Sequence, residues 1–152
     1  MKAMGRKEYV FGGMFALANR LQTLGDKLDP NITTKQWFFI AIISKLEDNS
    51  PTISEVSALI GSTRQNVKKM AVILEKQGFV QLTKDAKDAR VIRVTLTPKC
   101  RDYFQRRDAS EGVFMEHLFD GFDEELLNGL YKGLVKLSDN IEKMEKQHEQ
   151  EA

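Results

Sequence analysis

The sequence predicts a mainly α fold with one small β-hairpin, and three observations carry that prediction. Apolar residues recur at helical spacing through most of the chain. Hydroxyl residues followed three positions later by Glu or Gln mark helix starts, as at Thr33 with Gln36 and Thr52 with Glu55. After Gly78 the period switches from helical to alternating, and it returns to helical at Pro98. The 152 residues are one domain's worth of chain, long enough for a real core.

The first helix is expected from about Arg6 to Leu28. Val10, Met14, Leu17, Leu21, Leu24 and Leu28 fall at alternating steps of four and three, a narrow seam suited to helix–helix packing. Gly12 and Gly13 inside it lower helix propensity and leave room for another helix to approach. Asp29-Pro30-Asn31 breaks it. The second helix opens on the Thr33/Gln36 capping box, with Ile32 placed to staple onto Trp37. It runs to about Leu46 and contains WFFIAII, apolar nearly all round, so it should lie buried at the centre, touching the terminal helices and the helix pair after it. Asp48-Asn49-Ser50-Pro51 ends it.

The stretch from Thr52 to Gly78 reads as two helices hinged at Gly61. Thr52 and Glu55 cap the first, whose apolar face is Ile53, Val56, Leu59 and Ile60. Ser62 with Gln65 offers a capping box for the second, which ends at Gly78, a residue able to take the left-handed conformation. At about 100° per residue, Val67, Met70, Ala71 and Leu74 share one face. Gln65, Lys69 and Val72 fall nearly opposite, with Asn66 and Lys68 on the flanks. A short helix, a tight turn and a second helix with amides and cations outward is a helix-turn-helix arrangement. Gln and Asn can pair bidentately with adenine in the major groove, and Lys can reach guanine or phosphate. An ordinary solvated helix face gives the same pattern, and the segment after Gly78 shifts the balance towards the first.

Phe79 to Lys84 and Val91 to Leu96 alternate as two strands of a hairpin, joined by the charged connection Lys84 to Arg90. A hairpin directly after such a helix is the wing of a winged helix-turn-helix domain. Arg90 near its tip suits the narrow, negative minor groove, with Lys84, Lys87 and Arg93 around it. Thr97 and Pro98 start another helix that carries Tyr103, Phe104, Phe114 and Leu118 and ends near Gly121. Asp123 caps the last helix, with Glu124 and Glu125 favourable to its dipole. Leu127, Leu130, Leu134, Leu137, Ile141 and Met144 continue it as a second seam, and its closing EKMEKQHEQEA is polar enough to fray. Two terminal seams with no partner in the pattern point to an intertwined homodimer, for which Val10, Met14, Leu17, Leu127, Leu130, Leu134, Leu137 and Ile141 are the candidate contacts. Packing within one monomer is the alternative.

Charge is almost balanced overall but uneven along the chain. Residues 51–110 hold 12 Lys or Arg against 6 Asp or Glu, whereas residues 111–152 hold 4 against 11, so an anionic partner belongs to the middle. No apolar run is long enough to span a membrane and no secretion signal is visible, which fits a cytoplasmic protein. The lone Cys100 cannot form an intramolecular disulfide, and two distant histidines make no zinc site. No nucleophile–base constellation, phosphate loop or cofactor motif speaks for an enzyme.

Taken together, these pieces resemble the multiple antibiotic resistance regulator (MarR) family over nearly the whole chain. Asp88-Ala89-Arg90 followed by VIRVTLT is similar to that family's D-x-R-x-x-x-V-x-L-T signature, and LEKQGFV at 74–80 to its L-E-K-K-G-L-V. Trp37 early in the second helix is a supporting match. The resemblance implies a dimeric regulator on pseudo-palindromic double-stranded DNA, a repressor of nearby genes released by a small aromatic or apolar effector. It implies a DNA-binding lobe over about residues 33–97 and a helical dimerisation lobe over about 1–30 and 98–148. Candidate DNA contacts are Ser62, Thr63, Arg64, Gln65, Asn66, Lys68 and Lys69 for the major groove. On the wing they are Lys87, Arg90, and Asp88 as the partner that orients Arg90. Relatives that take phenolic ligands bind them between the dimer helices and the DNA-binding lobe, where Phe11, Phe15, Trp37 and Phe38 would line a cleft; an aromatic cluster also reads as plain core. Cys100 stands where the family usually has glycine. The sequence reads it as a small residue filling a helix start, with a sensor role the alternative.

Overall fold

A computed structural model describes residues 3–46 and 50–151. Its elements are α1 (Arg6–Leu28), α2 (Thr34–Leu46), α3 (Ile53–Ile60), α4 (Arg64–Lys76), β1 (Val80–Lys84), β2 (Ile92–Leu96), α5 (Pro98–Leu118) and α6 (Glu124–Glu151). Six helices and one antiparallel hairpin agree with the fold class expected from the sequence. The chain forms two compact units that divide between Arg106 and Arg107.

The first unit is built around α2. Phe39 and Ile43 of α2, Val56 of α3, Leu74 of α4, Val80 of β1 and Val94 of β2 are all fully buried in one cluster. Trp37 and Ile42 pack half-buried against it, and α2 touches α1, α3 and β2. Phe38 is the exception to the expected all-round burial: it lies about 200° from Ile40 around the helix and stays exposed.

The capping box that opens α2 forms in both directions. Gln36 N–H donates to Thr33 Oγ1 at 3.1 Å, and Thr33 N–H donates to Gln36 Oε1 at 3.0 Å. At α3 the hydroxyl half forms, with Glu55 N–H donating to Thr52 Oγ1 at 3.1 Å. The expected end of α2 at Asp48 and Asn49 lies outside the described residues.

Within one chain the close helix approach falls at Gly25, not at Gly12 or Gly13. A Cβ at either of those two would meet nothing within 4 Å, whereas one at Gly25 would collide with the Thr34 side chain of α2. Around that contact Asp26 Oδ1 accepts the Thr34 N–H at 2.7 Å, and the Thr34 hydroxyl donates to the Gln22 carbonyl at 3.3 Å. The last turns of α1 therefore finish the start of α2.

β1 begins one residue later than the alternation suggested, because the Phe79 N–H closes the end of α4 on the Leu74 carbonyl at 2.9 Å, and β2 does so because the Val91 N–H is taken within the connection by the Asp88 carbonyl at 3.0 Å. The register runs from Val80 opposite Leu96 to Lys84 opposite Ile92. Thr97 caps α5 as the sequence indicated, its hydroxyl oxygen accepting the Cys100 N–H at 3.2 Å while the same group donates to the Gly78 carbonyl at 2.6 Å.

In the second unit Asp123 caps α6, with its Oδ1 accepting the Leu126 N–H at 2.7 Å. The closing segment does not fray as expected, since α6 is helical through Glu151. Glu142 and Lys146 pair across one turn at 2.6 Å with the acid on the N-terminal side, the orientation that best supports a helix. Neither α1 nor α6 contains a buried residue. Val10, Leu17, Leu127, Leu130, Leu134 and Ile141 are exposed and Met14 and Leu137 half-buried, so both seams are left uncovered within one chain.

Candidate nucleic-acid interface

The turn between α3 and α4 decides which residue opens α4. Gly61 takes φ 77°, open to a residue without a side chain, and both its N–H and that of Ser62 donate to the Ser57 carbonyl, at 2.9 and 3.1 Å. Ser62 is thereby used to finish α3. The cap passes to Thr63, whose Oγ1 accepts the Asn66 N–H at 3.1 Å. The expected Ser62/Gln65 box is corrected to this Thr63 cap, and Gln65 is released from a capping role.

The two faces of α4 separate as the periodicity indicated. Val67, Ala71 and Leu74 are buried and Met70 is half-buried against the core. Ser62, Thr63, Arg64, Gln65, Asn66, Lys68 and Lys69 are all exposed. Val72, expected nearly opposite the core, is half-buried instead. The first turn of α4 contains no acidic residue. The positive end of the helix dipole and Arg64 therefore add to one another, which favours an anion such as a phosphate.

The far end of α4 is tied to the hairpin by contacts that periodicity could not supply. Gly78 takes φ 82° and its N–H donates to the Glu75 carbonyl at 2.9 Å. The Glu75 carboxylate accepts the Leu82 N–H of β1 at 2.7 Å. Lys99 Nζ donates to the Gln77 carbonyl at 2.8 Å and sits 5.3 Å from the Phe79 ring centre.

Asp85 organises the connection between the strands. Its carboxylate accepts the N–H groups of Lys87 and Asp88, at 3.1 and 3.0 Å, and Arg93 Nε at 2.6 Å. The Arg93 bond, then the Lys87 and Asp88 N–H groups, holds the Asp85 carboxyl below the usual carboxylate value. Asp88 grips Arg90 through three donors, its backbone N–H at 3.0 Å and Nε and Nη2 both at 3.1 Å. These bonds, the guanidinium first, lower the Asp88 carboxyl likewise. The expected pairing of Asp88 with Arg90 is present, and Lys84 and Lys87 are exposed beside it. Arg93, counted from the sequence among the wing cations, is instead committed to Asp85 and to the Ser50 carbonyl at 2.8 Å.

The four aromatics considered for an effector sit on two helices. Phe11 and Phe15 meet edge to face on α1 with ring centres 5.3 Å apart, both exposed. Trp37 and Phe38 belong to α2, the first packed on the core and the second exposed. Cys100 is buried, and burial pushes its thiol up to about 11, so it stays protonated at neutral pH.

No family model matches the chain. Over 83 residues it is 26% identical to the HTH-type transcriptional regulator PapX of Escherichia coli, covering 55% of this chain and 51% of that protein. The chain thus spans about half the length of the curated relatives it matches. Among solved structures it superposes on the MarR protein from Peptoclostridium difficile DA00132 with a TM-score of 0.80 and 22% identity, covering 95% of this chain and 93% of that one. The fold is that of the MarR regulators. MepR of S. aureus, solved in complex with DNA, has the same fold, with a TM-score of 0.78 at 16% identity over 91% of this chain and 99% of that one. No described helix of the chain is long and apolar enough to cross a membrane.

Proposed function

We propose that the chain is a sequence-specific DNA-binding transcriptional regulator. One observation carries this reading: α4 turns a capped, acid-free, amide- and lysine-bearing face outward beside a wing that displays Arg90. Asn66, Lys68, Lys69 and Gln65 read the major groove, Arg64 and the start of α4 hold phosphate, and Arg90 enters the minor groove. The uncovered seams of α1 and α6 support a homodimer on a pseudo-palindromic site, with residues 33–97 as the DNA-binding lobe. Release by a small aromatic or apolar effector at Phe11, Phe15, Trp37 and Phe38, and hence repression of nearby genes, completes the reading.

The test is a fluorescence-anisotropy titration against duplexes that the wild-type chain selects from a randomised pool, repeated across a salt series. Lys69→Ala should cost about 1–3 kcal/mol and relax base preference at particular positions. Lys87→Ala should weaken all duplexes alike and flatten the salt slope by about one. Binding indifferent to both salt and duplex sequence would sink the proposal.

A further inference from the structure

One continuous polar chain joins the tip of the wing to the segment that leads into α3. Ser50 holds φ 44°, in the left-handed region that residues with a side chain seldom take. Its carbonyl accepts from Arg93 Nη1 at 2.8 Å. The same segment is joined to β2 by a Thr52–Arg93 bridge and by the Val94 N–H on the Pro51 carbonyl at 2.9 Å. From Arg93 the chain continues through Nε to the Asp85 carboxylate, then to the Asp88 N–H, and through the Asp88 carboxylate to Arg90. The Arg90 side chain is 90% exposed, whereas those of Arg93 and Asp85 are 33% and 17% exposed. The first is available to a ligand. The second pair is sheltered and less screened by salt, as a brace must be.

We infer that the Asp85–Arg93 pair is a positioning device that sets where the Arg90 guanidinium stands relative to α3 and α4. It thereby fixes the distance between major-groove and minor-groove contacts that the protein accepts on double-stranded DNA. This rests on the DNA-binding reading above. Neither residue touches DNA, and both act through Arg90. The connection between the strand ends Lys84 and Ile92 is long enough to swing, and a guanidinium that swings forfeits the ordering that makes a minor-groove contact selective.

The experiment measures Arg90→Ala, Arg93→Met, Arg93→Lys, Asp85→Asn and the double variant Arg90→Ala/Arg93→Met on one duplex selected by the wild-type chain. Circular dichroism and thermal melting run alongside. Arg90→Ala should weaken binding about tenfold, and Arg93→Met by a similar factor. Arg93→Lys should recover only part of that loss, because an ammonium lacks the fork that spans Asp85 and Ser50. The double variant should bind no more weakly than Arg90→Ala alone. Arg93→Met should lose minor-groove protection from hydroxyl radicals yet keep major-groove protection of guanine from dimethyl sulfate. Additive losses in the double variant, or wild-type affinity in Arg93→Met, overturn the inference and leave the DNA-binding reading standing. A wild-type chain that selects no duplex, or an Arg90→Ala variant that binds as tightly as wild type, overturns the reading of the wing itself. If Arg93→Met melts early, Asp85→Asn, which keeps the shape and one acceptor oxygen, carries the same comparison.

Discussion

Replacing Thr63 by Ala removes the single side-chain acceptor that starts α4, the bond from the Asn66 N–H at 3.1 Å. Loss of such a cap costs about 0.5–2 kcal/mol, most often about 1. Asn66 is exposed, so water replaces part of the lost bond and places the expected cost near the middle of that range, about 1 kcal/mol. Ser62→Ala should stay within about 0.5 kcal/mol of wild type, because Ser62 contributes its backbone N–H to the end of α3 and not its hydroxyl to α4. Thr63→Asp separates stability from binding. It keeps the cap and adds about 0.3–1 kcal/mol of favourable interaction with the helix dipole, yet it puts a negative charge where DNA phosphate would lie. Urea denaturation of the three variants and wild type, with a shared slope, measures the differences. A Ser62→Ala variant less stable than Thr63→Ala would refute the cap assignment and restore the box that the spacing of Ser62 and Gln65 suggests.

Leu130→Lys with Leu137→Lys should abolish the proposed dimer, since each leucine that a partner copy would bury contributes on the order of 1.5–3 kcal/mol; a variant still dimeric by analytical ultracentrifugation refutes the seam. Gly25→Ala should lower stability by about 1–3 kcal/mol through overpacking against Thr34, partly offset by helix propensity, whereas Gly12→Ala has open space within the chain. A Gly12→Ala loss that depends on protein concentration in thermal melts would place a partner copy over that position. For Cys100 the folded state keeps its proton to a pH of about 11 while the unfolded thiol releases it near 9.0. Its contribution is therefore unchanged below 9 and falls as pH rises from about 9 to about 11, by on the order of 2–3 kcal/mol. Cys100→Ala should lack that component in denaturation across the alkaline range, and the native thiol should resist alkylating reagents at neutral pH; rapid native labelling would contradict its burial.

What the sequence made legible is whatever acts over a few residues. The caps at Thr33, Thr52, Thr97 and Asp123 and the end of α4 at Gly78 follow from spacing, because a hydroxyl or carboxylate meets its donor three positions on. The buried face of α4 follows from the helical period alone. Spacing alone places the cap of α4 one residue early, because Ser62 belongs to two local patterns. Only the backbone shows that finishing α3 on Ser57 takes precedence. Gly12, Gly13 and Gly25 are all glycines inside one helix, but propensity cannot tell which of them meets a neighbour within the chain, and it is Gly25 that does.

The wing shows most plainly where local reading stops. Arg93 bonds to Asp85 eight positions away and to Ser50 forty-three positions away, separations that no periodicity connects. Counted along the chain, it is one more cation in a basic segment. In three dimensions its charge is used within the protein, and the exposed cations left on the hairpin and its connection are Lys84, Lys87 and Arg90, the last paired with Asp88. The basic excess read from composition thus overstates what the wing can offer a phosphate backbone, since Arg93 is held by Asp85 and Arg90 is shared with Asp88. The salt dependence of binding should follow the exposed cations of α4 and the wing, not the segment's total, because only phosphates neutralised by free cations release counterions.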